Sequence, residues 1–410
     1  MELLIKNAKL VDEASELDAD ILVRNGKIAA VGQGLDCAGE VIDAAGLTLM
    51  PAFVDLHCHF RDPGFTQKED METGCRAAVK GGYTAVNLMA NTNPVCSDME
   101  TVRYIRRKAE AMGLVDVHQC VSVTKNFDGQ TVDHLKELDG TVKLLSEDGK
   151  GVMSNHVMAQ AMKIAKEKGM TVLSHAEDME ISPYDYRLAE NIATAQHIHL
   201  AKYLGARLHM CHVSTEEAMG EVIRAKIAKA PVTCEVAPQH LWFTDSDYRV
   251  NPPIRTKEDR DFLIWAIENG YVDAIATDHA PHTAEDKKNG APGMVGLETA
   301  FGVCYTILVK ERRLPLTLLS RLMSAGPAKI LGVQKGRLLP GYDADFALVD
   351  ENREWVVDAA QFASKGKNSP FDGVRLQGKV VRTIKAGTTT WQEYKLSGRP
   401  LRIQRWRNRT

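Results

Sequence analysis

Asp55-Leu56-His57-Cys58-His59-Phe60-Arg61-Asp62-Pro63-Gly64 is the stretch from which the fold can be read. In an extended strand alternate side chains leave the same face, so His57 and His59 can reach one metal ion while Cys58 points away. Arg61 continues that parity and would set a fixed positive charge beside the metal. This pairing suits a metallohydrolase whose substrate carries a carboxylate. An isolated His-x-His is more often a pair of satisfied buried histidines, so the metal reading depends on further ligands downstream.

Outward from this stretch, the chain from about Pro51 to Val333 alternates short apolar runs with amphipathic ones, the pattern of parallel strands joined by helices. Strands are predicted at 52–60, 84–91, 116–124, 141–148, 171–178, 206–213, 232–238 and 274–279. Helices are predicted from Glu69 to Lys80, Met99 to Ala111, Asn155 to Lys168 and Thr215 to Ala228. Eight such units fit an α/β fold of the (β/α)8 TIM barrel type, whose usual size is about 250 residues. A doubly wound sheet is the alternative, but no Gly-x-Gly-x-x-Gly follows a strand.

Both ends of the chain read as short β-strands. Leu3 to Val11, Ile21 to Val23 and Ile28 to Val31 surround an Asn25-Gly26 hairpin signal, and similar patterns return at Gly341 to Val349 and Val380 to Gly387. Residues 1–50 and 334–395 are therefore expected to form one small composite β-sandwich domain beside the 51–333 barrel, with 396–410 as a basic C-terminal tail.

The 410 residues suffice for both units, and 44% hydrophobic with 26% charged residues is ordinary for a soluble globular protein. A formal net charge of -3 gives no reason to expect nucleic acid or another polyanion as partner. The stretch after Glu393 is the local exception, with Lys395, Arg399, Arg402, Arg405, Arg407 and Arg409, and is expected to be solvated or docked on its own chain. Charge breaks the amino-terminal Met1 to Lys6 too early for a secretory signal, and no apolar run approaches a membrane span. A cytoplasmic location is expected. The eight cysteines include no Cys-x-x-Cys pair and read as free thiols.

In a barrel, chemistry belongs at the C-terminal ends of the strands. Those ends carry His57 and His59 on the first, Asp148 on the fourth, His175 on the fifth, His212 on the sixth and Asp278 on the eighth. Four histidines and two carboxylates are enough for one or two divalent ions, with Zn2+ the best match to imidazole and oxygen donors. Any one of them alone would more often be a structural polar residue.

On these residues the chain resembles the amidohydrolase superfamily, and within it the bacterial type I dihydroorotases. The resemblance covers nearly the whole chain. It rests on Asp55 to Gly64, Asn91-Thr92-Asn93-Pro94, Glu147-Asp148-Gly149, Ser174-His175-Ala176-Glu177, His212-Val213-Ser214-Thr215, Asn251 to Arg255, Thr277 to His282 and Gly296-Leu297-Glu298-Thr299. Gly341 to Asp350 and Asn368-Ser369-Pro370-Phe371 are similar to the family's closing segments. The resemblance implies reversible cyclisation of N-carbamoyl-L-aspartate to L-dihydroorotate, a step of de novo pyrimidine biosynthesis, through a metal-bound hydroxide. It implies that Asp278 is both a ligand and the proton carrier. Arg61, Asn91 and His282 match the family's clamp for the substrate carboxylate, with Asn251 helping to hold the ring. It further implies a homodimer, with aspartate carbamoyltransferase as a candidate partner.

Several positions depart from that pattern. Ala90 replaces a proline usual before Asn91, Gln239 stands where a second histidine before His240 is common, and the chain is shortened between Thr244 and Asn251. The candidate flap from Thr283 to Val295 is compact. Asp148 matches the type I bridge, but Lys143 lies on the same predicted strand, and related hydantoinases bridge their metals with a carboxylated lysine. His118, His134, His156, His197, His199, His209 and His240 have no matching partners and are assigned to packing or surface, and parity turns His279 away from the site. Sibling readings are a hydantoinase or allantoinase, and a non-catalytic partner of aspartate carbamoyltransferase. Arg61 and Asn91 argue against the hydantoinase, and the full set of ligand types argues against the non-catalytic partner.

Overall fold

The computed structural model describes residues 2–393, so the basic tail at 396–410 lies outside the described residues. The N-terminal strands are β1 (Glu2–Val11), β2 (Glu16–Arg24), β3 (Lys27–Gly32), β4 (Glu40–Asp43) and β5 (Thr48–Pro51). Then come β6 (Phe53–Cys58), β7 (Tyr83–Leu88), β8 (Asp116–Gln119), β9 (Leu144–Ser146), β10 (Thr171–Ser174), β11 (Leu208–Met210), β12 (Val232–Val236) and β13 (Ala274–Ile275). Each falls inside, or within one residue of, a stretch expected to be a strand. They are shorter than expected because the chain leaves extended geometry where its polar side chains begin. Arg61, His212 and Asp278 all have positive φ, at 58°, 31° and 48°, and such backbone strain in non-glycine residues collects at functional sites.

Strands β6 to β8 and β9 to β13 form two parallel sheets in chain order. Single bridges from Val121 to Leu145 and from Cys58 to His279 join them at both seams and close the ring. At the second seam the His59 N–H donates to the His279 carbonyl at 2.9 Å. The predicted helices appear as α1 (Met71–Lys80), α2 (Met99–Met112), α3 (Asn155–Glu167) and, after an unpredicted α4 (Tyr186–Leu204), α5 (Glu216–Ile227). Asp70, Asp98, Ser154, Asp185 and Thr215 cap their N-termini, each side chain accepting from a first-turn backbone N–H.

The last strands, β14 (Phe346–Val356), β15 (Arg375–Lys385) and β16 (Thr388–Gln392), join β1 to β5 in one mixed sheet. Antiparallel pairing of β14 with β5, Leu348 opposite Leu49, stitches the two ends together. Leu3, Ile5, Leu10, Ile21, Val23, Phe346, Leu348 and Ile384 give this sheet a hydrophobic core of its own. Asn25 and Gly26 both have positive φ, as the hairpin signal requires. The buried Lys335 ties sheet to barrel, with its Nζ 2.5 Å from Asp345, 2.9 Å from Asp116 on β8 and 3.3 Å from Asp343. Among the described residues no helix is long and apolar enough to cross a membrane.

Candidate metal centre and active site

His57 lies within β6 and His59 just past it, while Asp148, His175, His212 and Asp278 follow the ends of β9, β10, β11 and β13 by one to three residues. All six side chains are buried at one place. Asp148 is the hub. Its Oδ1 lies 3.2 Å from His57 Nε2, 3.5 Å from His175 Nδ1 and 3.9 Å from His212 Nε2, and its Oδ2 lies 3.5 Å from His59 Nε2. Asp278 Oδ1 stands 3.5 Å from His57 Nε2 and 3.4 Å from His59 Nε2. The common face expected for His57 and His59 is thus present.

Two trios have the spacing to hold a metal ion: His57, Asp148 and His212, and His57, His59 and Asp278. A third, His57, Cys211 and Glu235, is discounted because burial and the Glu235 charge push the Cys211 thiol up, and the thiolate is the ligand form. The first two fit a cation on independent grounds. His57 Nε2 is buried without a hydrogen bond, and His175 Nδ1 and His212 Nε2 converge to 3.0 Å. Burial disfavours a charged His57, yet Asp148 and Glu235 hold its pKa well above the ordinary value. Burial likewise opposes ionisation of Asp148, but His57, His212 and His59 hold its carboxyl well below the usual range. The pocket favours a positive charge.

Lys143 is exposed at the other end of β9, its carbonyl accepting from Thr171 N. Asp148, past the opposite end of that strand, is the carboxylate that faces the histidines. Asp55 locks the frame, accepting from His57 N at 3.2 Å and from Thr277 N at 3.0 Å, and burial raises its pKa to about 6. His279 turns away as expected, toward the buried Glu69 at 3.3 Å and Gly296 N at 3.1 Å.

At the mouth, Arg61 Nη2 donates to His282 Nε2 at 3.3 Å and Nε to the Pro281 carbonyl at 3.3 Å. Burial and the Arg61 charge drop the His282 pKa to about 3, so the imidazole is neutral and can accept. Asn91 is more committed than the sequence suggested. Its Oδ1 accepts from His59 Nδ1 at 2.8 Å, and its Nδ2 donates to Asp148 Oδ2 at 3.0 Å. Asn251 Nδ2 donates to Glu177 Oε2 at 2.9 Å. The flap holds a short helix, Ala284–Lys288, fastened by Lys287 Nζ to the carbonyls of Arg249, Ala291 and Gly293.

A family model described as the amidohydrolase family matches residues 48–390. The chain belongs to the amidohydrolase family. A protein named dihydroorotase from Clostridium botulinum (strain Eklund 17B / Type B) is 51% identical over 398 residues, 96% of this chain and all of that one. Another so named, from Ruminiclostridium cellulolyticum, is 40% identical over 95% of this chain and 98% of its own. Among solved structures, an L-hydantoinase (dihydropyrimidinase) from Arthrobacter aurescens superposes with a TM-score of 0.87 at 29% identity, covering 94% of this chain and 95% of that one.

In this amidohydrolase, sequence reasoning missed the carboxylates behind the histidines. Glu177 Oε2 accepts from His175 Nε2 at 2.8 Å, leaving Nδ1 to face Asp148. Glu235 Oε1 accepts from His57 Nδ1, and its Oε2 accepts from His209 Nε2, both at 3.0 Å. Burial would push the Glu235 carboxyl up, but these two donors hold it well below the usual range. His209 is therefore corrected from unpartnered packing residue to a part of this chain. A single charged residue in the largely buried strand 232–236 was the available signal. His134, His197 and His240 are buried and spent on Ser122, Ser174 and the Pro252 carbonyl, as packing residues should be.

Proposed function

We propose that the chain is a zinc-dependent dihydroorotase that interconverts N-carbamoyl-L-aspartate and L-dihydroorotate. The observation that carries this reading is Arg61. Among the described residues no carboxylate lies within ion-pair distance of its guanidinium, which stands partly buried and close enough to Asp148 and Asp278 to feel their charge. A cation without a counterion next to a hydrolytic centre is a socket for a substrate anion, and a guanidinium matches a carboxylate in geometry. Dihydroorotate carries a ring carboxylate, whereas hydantoin itself does not. The dihydroorotase names of the relatives at 51% and 40% identity agree with this choice.

His57, His59, Asp148, His175, His212 and Asp278 would hold the zinc. Bound there, zinc supplies Lewis-acid polarisation of the amide carbonyl and brings the pKa of water toward neutrality. Arg61, helped by His282 and Asn91, anchors the ring carboxylate, and Asn251 borders the pocket through its bond to Glu177. Burial raises the Asp278 pKa, but His59, His57 and His212 outweigh it and keep the carboxylate ionised. In hydrolysis Asp278 takes the proton from attacking water and returns it to the ring nitrogen as the C–N bond breaks. Cyclisation runs the same transfers in reverse.

The test is metal analysis with turnover of dihydroorotate, hydantoin and allantoin measured side by side, before and after chelation. Zinc content with dihydroorotate fastest, lost on chelation and restored by zinc, is expected. Hydantoin outpacing dihydroorotate, or turnover by metal-free protein, would overturn the proposal.

A further inference from the structure

We infer that Glu235 is a positioning residue that fixes the tautomer and aim of His57, with His209 as its anchor. The inference rests on the metal site proposed above. His57 belongs to both ligand trios, so its ring orientation sets the geometry of both at once. A neutral imidazole offers a metal ligand only from its unprotonated nitrogen. With Glu235 Oε1 accepting at Nδ1, that proton is held on the far side, and Nε2, which faces Asp148 and Asp278, is the nitrogen left to give up its proton to a metal. An acceptor behind a ligand histidine also raises the basicity of the coordinating nitrogen.

Glu235 cannot turn away from this task. It is wholly buried, and His209 Nε2 occupies its second oxygen. His209 is in turn held through Nδ1 by Thr233 Oγ1 at 2.8 Å. Register explains the arrangement. His209 on β11 pairs directly with Thr233 on β12, and Glu235 lies two residues further along β12 on the same face. The relay Thr233, His209, Glu235, His57 therefore runs from two neighbouring strands across to β6. Among the described residues Glu235 has two imidazole partners and no lysine or arginine, so both of its oxygens are committed to the two histidines.

Two variants separate aim from charge. In Glu235→Gln the amide oxygen can still accept from His57 Nδ1, and its NH2 can donate to a His209 that carries its proton on Nδ1. In Glu235→Leu both functions are lost. Zinc dissociation constants by chelator competition, Co2+ absorption spectra and melting of the chelated protein are measured for each. The expected order is a roughly tenfold loss of zinc affinity for Gln and roughly a hundredfold for Leu. The Co2+ spectrum should change, and the metal-free melting temperature should stay near wild type for Gln and fall for Leu, which leaves two buried imidazole N–H groups without an acceptor. Zinc binding within twofold of wild type in both variants, or a fall in metal-free melting with binding unchanged, overturns the inference in favour of packing. If Leu fails to fold, the Gln variant decides alone. Wild-type protein that binds no zinc removes the parent proposal, an outcome distinct from wild-type binding that Glu235 variants share.

Discussion

Replacing Arg61 by methionine removes the guanidinium while keeping a long side chain at the same positive-φ position. Its direct partners are one carbonyl and one neutral imidazole, both at 3.3 Å, and among the described residues no contact ion pair is lost with it. The loss therefore falls on the substrate. Two charge-assisted hydrogen bonds to a ring carboxylate at about 1.5–3 kcal/mol each amount to about 3–6 kcal/mol. At 1.36 kcal/mol per tenfold, kcat/KM for dihydroorotate should fall by roughly a hundredfold to ten-thousandfold. Dihydrouracil, the same ring without the carboxylate, is the control. Ring opening of both substrates is followed by ultraviolet absorbance in wild type and Arg61→Met. The preference for dihydroorotate should collapse while the slow turnover of dihydrouracil changes by less than about threefold. An unchanged preference would show that Arg61 does not receive the carboxylate, and the choice of dihydroorotate would lose its main support.

Three further outcomes are expected. Asp278→Asn should lower turnover by at least about a hundredfold, because an amide cannot carry the proton, with melting close to wild type; near-normal rates would remove Asp278 as carrier. Cyclisation consumes one carboxylate charge and one proton, so the equilibrium ratio of dihydroorotate to N-carbamoyl-aspartate should fall about tenfold per pH unit as pH rises. A pH-independent ratio measured from both directions would contradict the assigned reaction. Lys335→Met strips Asp345, Asp116 and Asp343 of their shared cation, and losing one partner of a buried ion pair costs about 3–5 kcal/mol. Calorimetry should show a melting temperature lower by several degrees with KM unchanged, and unaltered melting would mean that the sheet and barrel are not joined through this lysine.

The parts of the site visible in the sequence are those with local rules. His57 and His59 share a face because strand parity is two, and every predicted barrel strand is present because apolar runs between capped helices have few other solutions. The carboxylates behind these histidines were not visible in that way. Glu177 is two residues from His175 and could have been read by the same parity. Glu235 meets His57 across 178 positions of chain, and no spacing rule reaches that far. Asn91 was readable as a residue of the pocket but not as one whose two amide ends are already engaged by His59 and Asp148.

By itself the sequence determined the ring of strands, the paired terminal strands and the six ligand types at the strand ends, since these follow from periodicity, parity and donor chemistry. Only the tertiary structure decided which atoms of those ligands face one another. It put Asp148 at the hub and exposed Lys143 at the far end of β9, because the two residues flank opposite ends of that strand. It also left Arg61 without a contact ion pair among the described residues. Charge pairing depends on what closes in from distant segments, and among the described residues those segments bring His282 and the Pro281 carbonyl into contact with the guanidinium, with Asp148, Asp278, Asp286 and Glu69 beyond ion-pair distance.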